Sequence, residues 1–132
     1  MHIVRKSSKR EGICPNGWHV PSDEEWKILE IFLGMSQEEA NTEGSERNSG
    51  NVKSKLIDGN HREYSGFNGL AGGMRVGDGN FRNIGSIGYF LTSTATKVDN
   101  YYRRSIDWYT PGIDRRATSQ SHAFSLRCVR DI

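Results

Sequence analysis

The chain has 132 residues, of which 34% are hydrophobic and 10% aromatic, and its formal net charge is +2. This length suits one domain and is too short for two independent hydrophobic cores. The charge is too small to indicate a nucleic-acid partner, and no apolar run reaches the roughly 20 residues of a membrane span. Fifteen glycines against three prolines predict a loop-rich mixed fold.

The two cysteines, Cys14 and Cys128, lie near opposite ends of the chain. Such a pair suits one long-range disulfide, which indicates an oxidising compartment. Two unlinked, buried thiols are the alternative, and the sequence alone leaves that choice open.

The first part of the chain predicts a lead-in, a stiff connector and a helix. Residues 1–12 are polar and basic, and we interpret them as a flexible lead-in to a single domain over residues 13–132. Pro15 and Pro21 restrict the backbone between them, so we expect Trp18 and Val20 to be aimed at one site. Residues 22–25 form an S-x-x-E capping box, and Gly34 is placed to end the helix. The predicted apolar stripe consists of Trp26, Leu29, Phe32 and Leu33, widened by Ile28 and Ile31.

The remaining elements are predicted to be mostly strands. A second capping pattern at residues 36–39 indicates a short helix, followed by a long surface loop over residues 43–66 with a brief ordered piece at 52–57. Strands are predicted around residues 67–76, 81–84, 88–94 and 100–109, with a two-residue hairpin turn at Asp78-Gly79. Phe124, Leu126 and Cys128 alternate with other residues and are expected on one face of a last strand. A helix followed by antiparallel strands predicts an α+β fold.

Four ordered motifs resemble the Fibrobacter succinogenes major paralogous domain family, whose members are secreted and lipoprotein modules common in gut bacteria. The resemblance covers Ile13 to Asp131, with departures at Ala71 (where the family tends to have proline) and Leu91 (where it tends to have tryptophan). The motifs are Cys-Pro-x-Gly-Trp-His-Val-Pro-Ser-Asp-x-Glu-Trp at 14–26, Gly-Phe-Asn-Gly-Leu-Ala-Gly-Gly-Met-Arg at 66–75, Tyr-Phe-Leu-Thr-Ser-Thr at 89–94, and Phe-Ser-Leu-Arg-Cys-Val-Arg-Asp at 124–131.

This resemblance implies a branch of the C-type lectin-like fold, with a main N-terminal helix and a short second helix on antiparallel strands, long surface loops, and adjacent N- and C-termini. It would bring Cys14 near Cys128 and so favours the disulfide. The fold is related to the domain of the formylglycine-generating enzyme, but the active-site cysteines of that enzyme have no match here. The family also implies an extracellular or surface-anchored location, and we expect any export signal to lie outside this sequence. The expected structural residues are Trp18, His19, Trp26, Gly72 and Gly73.

A second resemblance concerns residues 98–122. Some C-type lectin-like proteins carry a C-terminal region rewritten by diversity-generating retroelements and followed by a sequence similar to residues 124–130. The Tyr, Arg, Asn, Ser and Trp mixture of residues 99–109 is similar in composition to a paratope. The candidate ligand-binding residues are Asn100, Tyr101, Tyr102, Arg103, Arg104, Asp107, Tyr109, Arg115 and Arg116.

The alternative for this segment is an ordinary strand. In that case Ile106 and Trp108 face the core and the arginines form a solvated side. Alternation places Tyr102 and Arg104 with Ile106 and Trp108, and puts Tyr101, Arg103, Ser105, Asp107 and Tyr109 on the opposite face.

Other motifs favour structural roles. His19 has no companion ligand or nucleophile nearby and is expected to be a hydrogen-bonded structural histidine. Asp58-Gly59-Asn60 and Asp78-Gly79-Asn80 could offer oxygen ligands to calcium, but turn chemistry explains both.

The sequence lacks the Glu-Pro-Asn, Gln-Pro-Asp and Trp-Asn-Asp motifs of calcium-dependent sugar binding. The glycines of residues 66–73 lack the order of a phosphate-binding loop and indicate close backbone packing. We therefore predict no metal, cofactor or catalytic residue.

The sequence thus favours a non-enzymatic extracellular module that binds a protein or glycan ligand. A structural surface or pilus-type subunit and an enzyme relative that has lost its activity are the alternatives. The oligomeric state is left open.

Overall fold

The computed structural model describes residues 2–4, 13–57, 67, 69–96, 99–119 and 121–132. These residues form a mixed α+β fold in which short helices pack on largely antiparallel strands. No helix in the described ranges is long and apolar enough to cross a membrane. In chain order the elements are β1 (His2–Val4), β2 (Trp18–His19), α1 (Asp23–Phe32), α2 (Gln37–Ala40), α3 (Val52–Leu56), β3 (Met74–Arg75), β4 (Phe81–Arg82), β5 (Ile87–Ala95), β6 (Asn100–Asp107), β7 (Asp114–Ser119), β8 (Phe124–Leu126) and β9 (Val129–Arg130).

The central sheet has the strand order β1-β8-β5-β6-β7. Its pairs are antiparallel except β5 and β8, which run parallel with Phe90 opposite Ser125. Strands β5 and β6 were predicted from their β-branched and aromatic residues and are present. The sequence did not predict β7, because its Asp, Arg and Ser residues lack the composition of a strand.

The two ends of the chain lie side by side. Strand β1 pairs with β8, β2 pairs with β9, and a disulfide joins Cys14 to Cys128 with their Cα atoms 5.9 Å apart. The predicted disulfide and the adjacency of the terminal segments are therefore confirmed. Residues 2–4 of the predicted flexible lead-in are a strand of the central sheet, while Met1 and residues 5–12 lie outside the described residues.

Helix α1 begins and ends as predicted but buries a different face. The Glu25 N–H donates to Ser22 Oγ, the Ser22 N–H donates to the Glu25 carboxylate, and the chain leaves the helix at Gly34 with φ +126°. Trp26 is 3% exposed and Glu30 is fully buried, whereas Phe32 is 83% exposed. The predicted burial of Phe32, Ile28 and Ile31 is wrong, because the helix turns two carboxylates as well as Trp26 towards the sheet.

Apolar clusters pack on both faces of the sheet around β5. Phe90 and Ile106 face the helices and pack with Trp26, Met35, Ala40, Val52, Leu56 and Ile113. Tyr89 and Leu91, the neighbours of Phe90, face the other side and pack with Val20, Phe124 and Leu126. Because successive side chains of a strand point to opposite faces, β5 contributes residues to two separate hydrophobic clusters.

Three further predictions need correction. Trp18 is 46% exposed, so only Val20 of that pair points into a core. Cys128 lies between β8 and β9 rather than on one strand with Phe124, although it packs against the same cluster. The β3–β4 hairpin is present, but residues 76–80 connect its strands in place of a two-residue turn.

The predicted surface loop over residues 43–66 is partly buried. Its ordered piece is α3, as expected, but Arg47, which precedes α3 in this segment, is fully buried. Residues 58–66, which include the possible calcium loop Asp58-Gly59-Asn60, lie outside the described residues.

Candidate functional site on strands β6 and β7

The predicted ligand-binding residues divide between two faces of the same strand pair. Strands β6 and β7 are antiparallel neighbours, with Arg103 opposite Arg116 and Arg104 opposite Arg115. Residues directly opposite one another share a face of the sheet. Arg104 and Arg115 lie on the inner face, towards α1, and Arg103 and Arg116 lie on the outer face.

The inner-face arginines are buried in ion pairs. Arg104 is fully buried and donates to Asp23 Oδ1 at 2.6 Å and to Glu30 Oε2 at 2.8 Å. Arg115 is also buried, and its Nη2 donates to Asp23 Oδ2 at 2.8 Å. The prediction that both arginines offer surface contacts is wrong, because they are buried on the inner face of the sheet in ion pairs with the carboxylates of α1.

These groups belong to a buried ion cluster, formed by Asp23, Glu30, Arg47, Arg104 and Arg115. Arg47 completes it with a bidentate pair to Glu30, with N–O distances of 2.6 and 3.0 Å. Burial alone would raise the pKa of Asp23, but hydrogen bonds and charge from Arg115 and Arg104 outweigh it and lower that pKa to about 2. The Asp23 carboxylate is therefore ionised at neutral pH, and the Asp23 and Glu30 carboxylates face three guanidinium groups.

The sequence carries one sign of this cluster, in the spacing of acidic residues on α1. Asp23 and Glu30 are seven residues apart, which places them on one face of a helix with Trp26 between them. Acidic residues on the same face as a buried tryptophan predict buried cations opposite. Their partners could not be named, because Arg104 and Arg115 lie 81 and 92 residues from Asp23.

Tyr102 lies at the edge of the buried ion cluster. The Arg115 guanidinium carbon stands 4.2 Å from the centre of the Tyr102 ring, and the Tyr102 hydroxyl donates to Glu43 Oε2 at 3.1 Å. The side chain is half-buried. Tyr102 therefore covers Arg115 and offers a ligand only part of its ring.

The outer face is organised around Asp114. Its carboxylate accepts from Arg116 Nε at 2.7 Å, from Arg103 Nη1 at 3.3 Å and from the Ser105 hydroxyl at 3.3 Å. The Asp114 hydrogen bond raises the pKa of Arg116, whereas burial lowers that of Arg103, which packs over the Tyr89 ring. Two guanidinium groups thus share one carboxylate, and the Arg116 side chain is 51% exposed.

The loop after β6 presents Tyr109, which is 80% exposed. The Asp107 carboxylate accepts from the N–H groups of Tyr109 and Thr110 at 2.8 and 2.6 Å. Burial would raise the pKa of Asp107, but these donors lower it overall. Asp107 therefore shapes the loop that positions Tyr109.

Asn100 and Tyr101, at the start of β6, are half-buried. Tyr101 lies on the outer face, opposite Thr118, and packs against the cluster that contains Tyr89 and Leu91. Of the nine predicted residues, the outer face thus brings together Tyr101, Arg103 and Arg116, and Tyr109 lies on the loop that follows.

A comparison with protein families matches residues 4–130 to the Fibrobacter succinogenes major domain. The chain belongs to that family. The match includes the motifs at both ends of the chain, which the disulfide and the β2–β9 pair hold together. No curated protein and no solved structure matches this chain.

Within this Fibrobacter succinogenes major domain, His19 makes the structural hydrogen bonds that the sequence predicted. Its Nδ1 lies 2.5 Å from Asp131 Oδ1, and its Nε2 lies 2.8 Å from Glu25 Oε2. Both carboxylates only accept, so the ring is protonated when both bonds form. Hydrogen bonds to Asp131 and Glu25 accordingly raise the pKa of His19.

At Gly73, in the glycine motif of this domain, an added side chain would clash with the backbone. Gly73 has φ +68°, and a Cβ atom there would lie 2.5 Å from the Arg82 carbonyl oxygen. At Gly72 a Cβ atom would meet only the Ser125 hydroxyl, at 2.9 Å. Close packing is thus confirmed at Gly73. Gly66 and Asn68 lie outside the described residues.

The Asp78-Gly79-Asn80 segment of the domain forms a turn, as predicted. Asp78 Oδ1 accepts from the Asn80 N–H at 2.9 Å. In the described parts of the chain, no group of three or more His, Cys, Asp or Glu side chains could hold a metal ion.

Proposed function

We propose that this domain is a non-enzymatic extracellular binding module. It would contact a protein or glycan ligand through the outer face of β6 and β7 and through the loop after β6. The observation that carries the proposal is that two side chains suited to recognition, those of Tyr109 and Arg116, are exposed. The Asp107 carboxylate holds the backbone of Tyr109 in place, and the Asp114 carboxylate holds the Arg116 side chain. Tyrosine and arginine are the residues that most often dominate the energy of protein interfaces.

The support beneath this face limits the entropy lost on binding. The buried ion cluster fixes the inner side of β6 and β7 to α1. Asp114 orients Arg116, and Asp107 orients the backbone of Tyr109. Side chains that are held before binding lose less freedom when a ligand arrives.

The charge of the outer face indicates the kind of group it would bind. Arg103 and Arg116 together carry two positive charges against the single carboxylate of Asp114. The Arg116 guanidinium is partly free to donate to an acidic or polar group of a ligand. An acidic side chain of a protein or an acidic sugar fits this arrangement.

We also propose that the fold is a branch of the C-type lectin-like fold. The adjacent terminal segments, the Cys14–Cys128 disulfide and the long connections between short elements support this assignment. The disulfide also supports an oxidising, extracellular compartment.

A diversified region at residues 98–122 would follow from the second resemblance. It predicts that the gene neighbourhood contains a reverse transcriptase and a near-copy of the coding segment for these residues. The buried positions Arg104 and Arg115 would be fixed in such a copy, because their loss disrupts the buried ion cluster.

The exposed apolar face of α1 favours the second candidate, a structural surface subunit. Ile28, Ile31 and Phe32 are exposed at helical spacing, as expected for a face that packs against another chain. Replacing Ile28 and Phe32 with serine would disrupt an assembly made through α1 and leave ligand binding by the β6–β7 face intact.

The binding proposal is tested with glycan arrays and protein-capture screens on secreted protein. The variant Tyr109→Ala with Arg116→Ala should lose at least tenfold in affinity for any ligand found. The matched control, Phe32→Ala with Arg130→Ala, removes an exposed aromatic ring and an arginine from other surfaces and should bind as the wild type does. If both double variants bound equally well, the ligand site would lie elsewhere than on β6 and β7.

A further inference from the structure

A second candidate site lies away from β6 and β7, between α1 and the C-terminal segment. An apolar pocket of about 160 Å³ opens there to solvent. Its charged lining residues are Glu25 and Arg127. The apolar walls come from Pro21, Trp26, Leu29, Phe67 and Val129.

The size and walls of the pocket fit one aromatic ring. An apolar cavity of about 150 Å³ is large enough to bind benzene. The Trp26 and Phe67 rings meet edge to face, with centroids 5.5 Å apart. Aromatic walls of this kind favour a further ring in an offset or edge-on position.

Arg127 supplies a positive charge beside the aromatic walls of the pocket. Its guanidinium carbon lies 4.2 Å from the centre of the Phe67 ring, and burial lowers its pKa. In the described ranges no carboxylate oxygen lies within 4.0 Å of this guanidinium, whereas Arg47, Arg104 and Arg115 each pair with a carboxylate. A half-buried guanidinium without a counter-ion is suited to bind an anion.

The nearby carboxylate of Glu25 does not take this role. It accepts from His19 Nε2 at 2.8 Å and from the Ser22 N–H at 3.0 Å. The Glu25 carboxylate is thus held by other donors on the α1 side, and in the described ranges it does not pair with Arg127.

We propose that this pocket binds a small aromatic carboxylate, with its ring against Trp26 and Phe67 and its carboxylate paired with Arg127. The Nε1–H of Trp26 is buried and has no hydrogen-bond partner in the described part of the chain. Because the Trp26 side chain lines the pocket, its indole N–H resonance should respond to a ring bound against it.

Phenylacetate and its neutral isostere phenylacetamide are the probes, and the indole N–H resonances of the intact protein are the readout. Trp18→Phe and Trp108→Phe, both at exposed positions, assign the Trp26 resonance by elimination. Phenylacetate should shift that resonance saturably and bind at least tenfold more tightly than phenylacetamide.

Two variants locate the interaction. Arg127→Gln should remove the preference for the acid over the amide, while Arg130→Gln, an exposed arginine three residues later, should keep it. Val129→Phe should fill the pocket and abolish binding of both probes. Equal affinities of the wild type for acid and amide, or a Trp26 resonance that does not move at saturating phenylacetate, would overturn the proposal without reference to any variant.

Discussion

Asp23 and Arg104, which are 81 residues apart in the sequence, form a buried ion pair with a distance of 2.6 Å between Oδ1 and Nη1. The pair joins the first turn of α1 to the middle of β6. It therefore fixes the strand whose other side carries the proposed ligand contacts. Asp23 also binds Arg115 on β7, so one carboxylate orients both strands.

Replacing Asp23 tests the importance of this arrangement for stability. Asp23→Asn leaves Arg104, Arg115 and Arg47 buried with one carboxylate, Glu30, so we expect the free energy of unfolding to fall by about 3–5 kcal/mol. Urea denaturation measures the change.

Glu24→Gln is the matched control for Asp23→Asn. Glu24 is in the same helical turn, but its side chain is 77% exposed and pairs with Lys27 at the surface. Its replacement should cost less than about 1 kcal/mol. Equal losses in the two variants would contradict a special role for the buried ion cluster.

The stabilisation by Asp23 should depend on pH in the acid range. Its pKa is about 2 in the folded protein, below the value of about 3.9 expected in the unfolded chain. The stabilisation is therefore complete above about pH 4 and is lost as the pH falls through about 2. The difference in unfolding free energy between the wild type and Asp23→Asn should shrink over this interval, and a constant difference would contradict the lowered pKa.

The sequence predicted those helices and strands that depend on residues close together in the chain. The capping box at Ser22 and Glu25 set the start of α1, and β-branched and aromatic residues indicated β5 and β6. The disulfide followed from the family resemblance. The buried ion cluster was missed because its ion pairs join distant residues, and the local sign of it, the spacing of Asp23, Trp26 and Glu30, does not identify the arginines.

The error on α1 has the same origin. The spacing of apolar residues predicted that Phe32 and Ile28 lie in the core. In the structure, Asp23 and Glu30 occupy the buried face of α1 together with Trp26. Buried charges on a helix shift its inner face away from the apolar stripe. On the proposed site, composition pointed to β6 and β7, but only the pairing of the strands separated the exposed Arg116 from the buried Arg115.

Two aromatic residues of α1 should respond very differently to truncation. Trp26 packs against Phe67 and Phe90, so Trp26→Ala should lower the free energy of unfolding by about 3–5 kcal/mol. Phe32 is exposed, and Phe32→Ala should change it by no more than about 0.5 kcal/mol. Thermal and urea unfolding compare the two, and a large loss for Phe32→Ala would mean that its exposed face is covered in solution.

Gly73 should not tolerate alanine. Its φ of +68° costs an L-residue about 1–2 kcal/mol, and the added Cβ would lie 2.5 Å from the Arg82 carbonyl oxygen and 2.8 Å from the Ile84 nitrogen. Gly17 has φ +85° but open space around it, so Gly17→Ala carries the conformational cost alone. We expect Gly73→Ala to lose about 1–3 kcal/mol more than Gly17→Ala in urea denaturation. Similar losses would show that the β3–β4 hairpin moves away from Gly73 without cost.

His19 should make stability depend on pH near neutrality. Its pKa is raised above about 6.5 by the Asp131 and Glu25 carboxylates, so its contribution is fully present below that pH and is lost as the pH rises through the folded value. The melting temperature of the wild type should therefore fall, relative to that of His19→Gln, as the pH rises above about 6.5. His19→Gln keeps hydrogen-bonding capacity but cannot titrate. The His19 ring signals should titrate above pH 6.5 in the folded protein. Parallel melting profiles for the two proteins would mean that the ring bonds to Asp131 and Glu25 do not depend on its charge.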